Sequence, residues 1–142
     1  MCPPGLGCIT DTFGASEYCL CTATRNWVSA RAGCMGVGLD LARIDSLEEE
    51  TFLTMRIAFR RYWIGATDVA TEGDFVWVDG TLFWTGGPTG AAVGALYTHW
   101  LPGQPSDLGG SGVGDCAFVE TTGGWQDDLC DSVRVNRVVC ER

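Results

Sequence analysis

The 142-residue sequence is short of positive charge, of histidine and of long apolar runs. Nine basic residues against eighteen acidic ones leave a net charge of -9, which repels nucleic acid and anionic lipid surfaces. Polyanions are therefore poor partners. The single histidine, His99, comes with no Ser/His/Asp arrangement and no zinc-hydrolase spacing, so the usual parts of acid–base and nucleophilic catalysis are missing. His99 is given no functional role. Asp127 and Asp128 are sequence neighbours, whereas glycosidase carboxyls face one bond across about 5 to 10 Å. No enzyme is expected. The longest weakly apolar run, GGPTGAAVGALYTHWL, is broken by glycines and a proline and is too short to span a bilayer. No membrane insertion is expected. The first residues show no basic, apolar and cleavage-site sequence of the secretory kind, so any secretion signal is expected to have been removed.

What the sequence does hold is eight cysteines, with no CxxC and no Cys/His repeat. An even count of this kind reads as four disulfides and an oxidising, extracellular compartment. The competing reading, a thiolate zinc site at Cys2, Cys8, Cys19 and Cys21, suffers from irregular spacing. The length suits one domain with a single core.

Residues 1–17 combine two cysteines with Pro3, Pro4 and several glycines, and are expected to be a disulfide-rich N-terminal extension, stapled and extended rather than a regular element. EYCLC reads as a strand. In NWVSARAGC, Trp27, Ala30 and Cys34 share a helical face behind Asn26 as N-cap. Ser46 with Glu49 forms a capping-box signature for a second helix, whose Phe52, Met55 and Phe59 share one face and are expected in the core. From Tyr62 onward, short strand-like runs (YWIGA, FVWVDG, DCAFVE, RVVCER) alternate with turn signals such as Asp79-Gly80. The whole predicts an α+β domain.

NWVSARAGC, YWIGATD, EGDFVWVDGT, WLPGQPS, GDCAFVE, GWQDDLC and the closing VCER, in this order, resemble the C-type lectin-like domain over residues 18–142. The resemblance implies two helices packed on short antiparallel sheets, with a long calcium-binding loop region. It implies bridges between Cys34 and Cys140 and between Cys116 and Cys130, each stabilising by about 2 to 4 kcal/mol. Cys2, Cys8, Cys19 and Cys21 then pair among themselves in one of three ways. By the same resemblance Trp63, Trp77, Trp100 and Trp125 pack the fold.

Calcium takes about six to eight oxygen ligands, several of them carboxylate, from a backbone able to bend around it. The segment WLPGQPSDLGGSGVGDC, residues 100–116, is glycine-rich and studded with aspartates. The family's first calcium site maps onto Asp68 and Glu72 in TDVATEG and onto Asp107 and Asp115 in this loop, with the Gly114 carbonyl as a further ligand. The plainer alternative is a set of solvated surface carboxylates. The family's sugar-binding second site maps onto Gln104, Ser106, Gln126 and Asp127, and there the sequence departs. Gln104-Pro105-Ser106 replaces Glu-Pro-Asn or Gln-Pro-Asp, Gly114 replaces an acidic residue, and Gln126 replaces the asparagine of Trp-Asn-Asp. With Asp127 as its one sure anion, this site is at most a weak calcium site. Residues 83–99 form a link longer than in many such domains and are expected to bring Trp84, Tyr97 and His99 near the ligand face.

The expected function is a secreted, calcium-binding recognition domain that binds carbohydrate weakly, at about millimolar strength per site, and gains avidity from several copies in a homo-oligomer or larger assembly. The alternative is a calcium-stabilised domain for protein binding, adhesion or ice binding, without sugar.

Overall fold

The computed structural model describes residues 1–110 and 112–142, and its first element lies where the sequence predicts none. Strand β1 (Cys8–Phe13) pairs antiparallel with β2 (Ser16–Cys21) through a two-residue turn that has Gly14 at φ +60°. The expectation of an element-free segment over residues 1–17 is thus corrected. Its prolines and Gly5 and Gly7 all precede the strand, whose own residues CITDTF are compatible with a ladder. Disulfides Cys2–Cys19 and Cys8–Cys21 resolve the pairing, and among the described residues no cysteine is free to serve as a zinc thiolate.

Helix α1 (Trp27–Met35) begins where Asn26 Oδ1 accepts the Ser29 N–H at 2.8 Å, and it buries Trp27, Ala30 and Cys34. Helix α2 (Leu47–Arg56) begins where Ser46 Oγ accepts the Glu49 N–H at 3.1 Å. The return bond of the box goes one residue astray, since the Glu49 carboxylate takes the Asp45 N–H at 2.7 Å and the Tyr18 hydroxyl at 2.5 Å. The inward face of α2 holds Glu49, Glu50, Leu53 and Thr54. Phe52 is half-buried, while Met55 and Phe59 are exposed, which corrects their expected core placement. A shared stripe does not say which stripe the core selects. Here buried donors hold two carboxylates inside, and the helix is turned accordingly.

The remaining strands are β3 (Asp40–Leu41), β4 (Tyr62–Thr67), β5 (Phe75–Trp77), β6 (Leu82–Thr85), β7 (Ala91–Ala92), β8 (Cys116–Val119), β9 (Trp125–Asp128) and β10 (Arg137–Glu141). They join one branched sheet along the path β1-β2-β10-β4-β5-β6-β7, with β8 beside β4, β9 beside β8 and β3 beside β10. The strand pairings are antiparallel except that of β10 with β4, which is parallel. This is an α+β fold. All six residues of β4 are buried, as expected of a strand covered on both faces. Trp77, Trp125, Phe75 and Phe83 form one core cluster with Trp100 half-buried against it, and Trp63, Trp27 and the Cys34–Cys140 bridge belong to a second. Residues 83–99 fold back on the scaffold. Trp84 Nε1 donates to the Gly87 carbonyl at 2.9 Å, and Tyr97 packs on the core. Tyr97 and His99 meet Glu50 of α2, so they are turned to the helix rather than to the long loop.

Candidate functional site

Strand register brings the acidic residues together. Thr67, the last residue of β4, lies opposite Cys116, the first of β8, so Asp68 and Asp115 leave their strands side by side. The Asp115 carbonyl accepts both the Thr67 hydroxyl at 2.6 Å and the Asp68 N–H at 3.1 Å, which fixes this junction. Asp68 Oδ2 accepts the Gly73 N–H at 2.8 Å and closes the turn that carries Glu72. Gly73 has φ +83°, a conformation that glycine adopts without strain. One carboxylate oxygen each from Asp68, Glu72 and Asp115 lies within 4.8 Å of the other two. Asp107 adds a fourth carboxyl, near enough to Glu72 for its charge to raise the pKa there. Its Oδ2 accepts the Gly112 N–H at 2.9 Å, and its Oδ1 the Gly114 N–H at 3.4 Å.

Electrostatics mark the cluster as short of positive charge. Burial, followed by the charges of Glu72, Asp115 and Asp127, pushes the Asp68 carboxyl up to about 7. Burial and then Asp107 raise those of Glu72 and Asp115 as well. Asp68 Oδ1 and Asp115 Oδ1 are buried with no hydrogen-bond partner among the described residues. Buried acceptors left in this state are costly unless a cation or proton meets them. A set of hard carboxylate oxygens on a bendable loop suits Ca2+ in donor type and in charge.

The second group of candidates does not assemble in the same way. Asp127, only 2% exposed, takes the Ser106 N–H at 2.8 Å and the Ser106 hydroxyl at 3.1 Å on Oδ1, and the Asp107 N–H at 2.5 Å on Oδ2. Gln104 Oε1 accepts the Ser106 N–H at 3.1 Å and the Asp127 N–H at 3.5 Å, beside a cis Gln104–Pro105 bond. Gln126 points elsewhere, donating to Glu120 Oε2 at 3.0 Å. Successive residues of a strand alternate between faces, which separates Gln126 from Asp127. Gly114 is buried, and a Cβ there would come within 2.7 Å of Asp127 Oδ2.

A family model described as lectin C-type domain matches residues 23–142. The chain belongs to the C-type lectin domain family. Among the relatives of this C-type lectin domain, asialoglycoprotein receptor 1 of Rattus norvegicus is 35% identical over 132 residues, which are 91% of this chain and 42% of the receptor. The low affinity immunoglobulin epsilon Fc receptor of Mus musculus is 35% identical over 119 residues, 84% of this chain and 31% of that one. The domain thus spans less than half the length of these receptors. Among solved structures, the cow CD23 C-type carbohydrate-recognition domain, determined in the presence of a GlcNAc2Man3 oligosaccharide, superposes with a TM-score of 0.77 at 30% identity, covering 100% of this chain and 95% of its own.

Two features of the C-type lectin domain lay beyond sequence reasoning. One is Asp127 acting as a strut under residues 106 and 107, which the spacing of carboxylates could not distinguish from a ligand. The other is Glu50, almost fully buried, whose carboxylate bonds Trp125 Nε1, His99 Nδ1 and, at 3.3 Å, the Tyr97 hydroxyl. Three consecutive glutamates in a first helical turn signal only a favourable helix dipole, so nothing local singled out Glu50.

Proposed function

We propose that residues 18–142 form an extracellular recognition domain that binds Ca2+ through Asp68, Glu72, Asp107 and Asp115 and binds carbohydrate weakly, with residues 1–17 as a disulfide-tied extension. The observation that carries the calcium reading is the pair of buried, unpartnered oxygens Asp68 Oδ1 and Asp115 Oδ1 inside an acidic cluster. A bound Ca2+ supplies the positive charge that neutralises these carboxylates. Asp68 and Glu72 belong to the β4–β5 turn, whereas Asp107 and Asp115 stand near the two ends of the glycine-rich stretch. Holding all four therefore pins the long loop to the sheet. Family membership, the similarity to an asialoglycoprotein receptor and the likeness to the carbohydrate-recognition domain of cow CD23 support the glycan reading, and the disulfides and the receptor relatives support an extracellular location.

The test for calcium is the doubly substituted chain Asp107→Asn/Asp115→Asn. It should lose the calcium-induced rise in melting temperature, and an unchanged rise would remove the ion from this site. The test for glycan is a glycan array probed with a multimerised domain, in calcium and in chelator. Binding should weaken in chelator as the loop is released.

A protein ligand is the second reading, favoured by the second group of candidates. Gln104, Ser106 and Asp127 spend their polar atoms on one another, Gln126 is bonded to Glu120, and Gly114 offers no carboxylate. An array silent in both buffers, together with capture of an extracellular protein that survives competing sugars and shows no ice shaping, selects this reading.

A further inference from the structure

The outer face of α2 and the turn that follows it carry an apolar stripe left exposed among the described residues. Leu47 is 53% exposed, Met55 55% and Phe59 57%, and half-buried Phe13 and Phe52 border them. Phe13, Leu47, Phe52 and Met55, with Thr51 and the acidic Glu48 among them, line a hollow of about 440 Å³. A contiguous apolar patch of this kind marks an interaction surface more often than a scattering of single exposed residues does. The backbone supplies a second, independent observation. Ala58 and Phe59 both lie in the left-handed region, at φ 59° and 56°, and their N–H groups close the helix on the Met55 and Thr54 carbonyls. Glycine would relieve that strain. A bulky residue held there, with its ring in solvent, is an outlier that calls for a function.

We propose that this face is the interface of a two-fold symmetric homodimer, in which α2 packs antiparallel against α2 of a second copy. The charges select that partner. Exposed Glu48 stands at the start of the helix and exposed Arg60 just past its end, and neither has an ion-pair partner among the described residues. Antiparallel pairing about the centre of the stripe sets Leu47 against Phe59 of the second copy and Thr51 against its Met55. It also brings Glu48 of each copy to Arg60 of the other. One self-complementary patch thus satisfies both apolar and charged groups, as an isologous contact requires. The small Thr51 leaves room for Met55 to enter. None of these residues belongs to the acidic cluster, so dimerisation stands or falls independently of calcium and glycan.

Sedimentation velocity of the chain over micromolar to submillimolar concentrations, in chelator, tests the proposal. A concentration-dependent dimer is expected, and Met55→Glu should raise its dissociation constant by at least about tenfold, because a charge would be buried in the contact. Glu48→Arg and Arg60→Glu should each weaken the dimer, and the double exchange should restore it. All three positions are exposed, so an unchanged melting temperature of the diluted variants shows that the fold is intact. A monomer at every concentration, a dimer indifferent to Met55→Glu, or a double exchange that fails to recover would overturn the proposal.

Discussion

At the scale of single residues, Asp68 couples protonation to the calcium binding proposed for its cluster. Its carboxyl titrates near 7 in the folded chain and near the ordinary value of 3.8 when unfolded, so the metal-free fold binds a proton more tightly than the unfolded chain does. The stability from that carboxyl is present below about pH 4 and is lost as the pH rises through about 7. A calcium ion at the proposed site has to displace that proton. The rise in melting temperature caused by calcium should therefore be small near pH 4 to 5 and grow to its full size above 7, and a rise independent of pH would take Asp68 out of the ligand set. Gly114 gives a steric prediction. Gly114→Ala places a Cβ against an Asp127 carboxylate already held by the Ser106 and Asp107 amides, and should cost about 1 to 3 kcal/mol in denaturant unfolding. Which acidic residues meet was legible only through the resemblance, since Asp68 and Asp115 are far apart in the chain and strand register joins them. Asp127 was legible as an anion but not as a strut, because residue type does not reveal which amides a loop will present.

Elements were easier to read than their orientation. Asn26 and Ser46 mark both helix starts, because capping depends on a side chain three residues from the N–H it serves. The face that α2 turns inward was not legible, since it depends on donors from Tyr18, Trp125, Tyr97 and His99, all distant in sequence. Glu50→Gln tests this account. The amide cannot accept from all three donors as the carboxylate does, and the variant should lose about 1 to 3 kcal/mol, read by chemical denaturation. A variant as stable as the parent would mean that the burial of Glu50 is incidental. Strand β1 was missed for a related reason: an edge strand with polar residues on one side acquires its identity from β2.

For the whole molecule, the resemblance carried the topology, which periodicity alone could not, because β10 must run parallel to β4 and that pairing has no local signature. The bridges differ in what they constrain. Cys34–Cys140 spans 106 residues of sequence and Cys116–Cys130 spans 14. By loop entropy, replacing the first pair with alanines should cost about 4 to 5 kcal/mol and the second about 3 kcal/mol, so the unfolding midpoints should fall in that order. Equal midpoints would show that strain or residual structure outweighs loop length. The same bonds also define a load path. Cys2 is tied to Cys19 and Cys140 to Cys34, so tension applied between the two ends of the chain passes through sulfur at both ends. Only the stretch between Cys19 and Cys34 can lengthen appreciably. Residues 35–139, with the acidic cluster and the long loop, lie behind the Cys34–Cys140 bond as in a closed ring, and their backbone is bypassed by the pulling force.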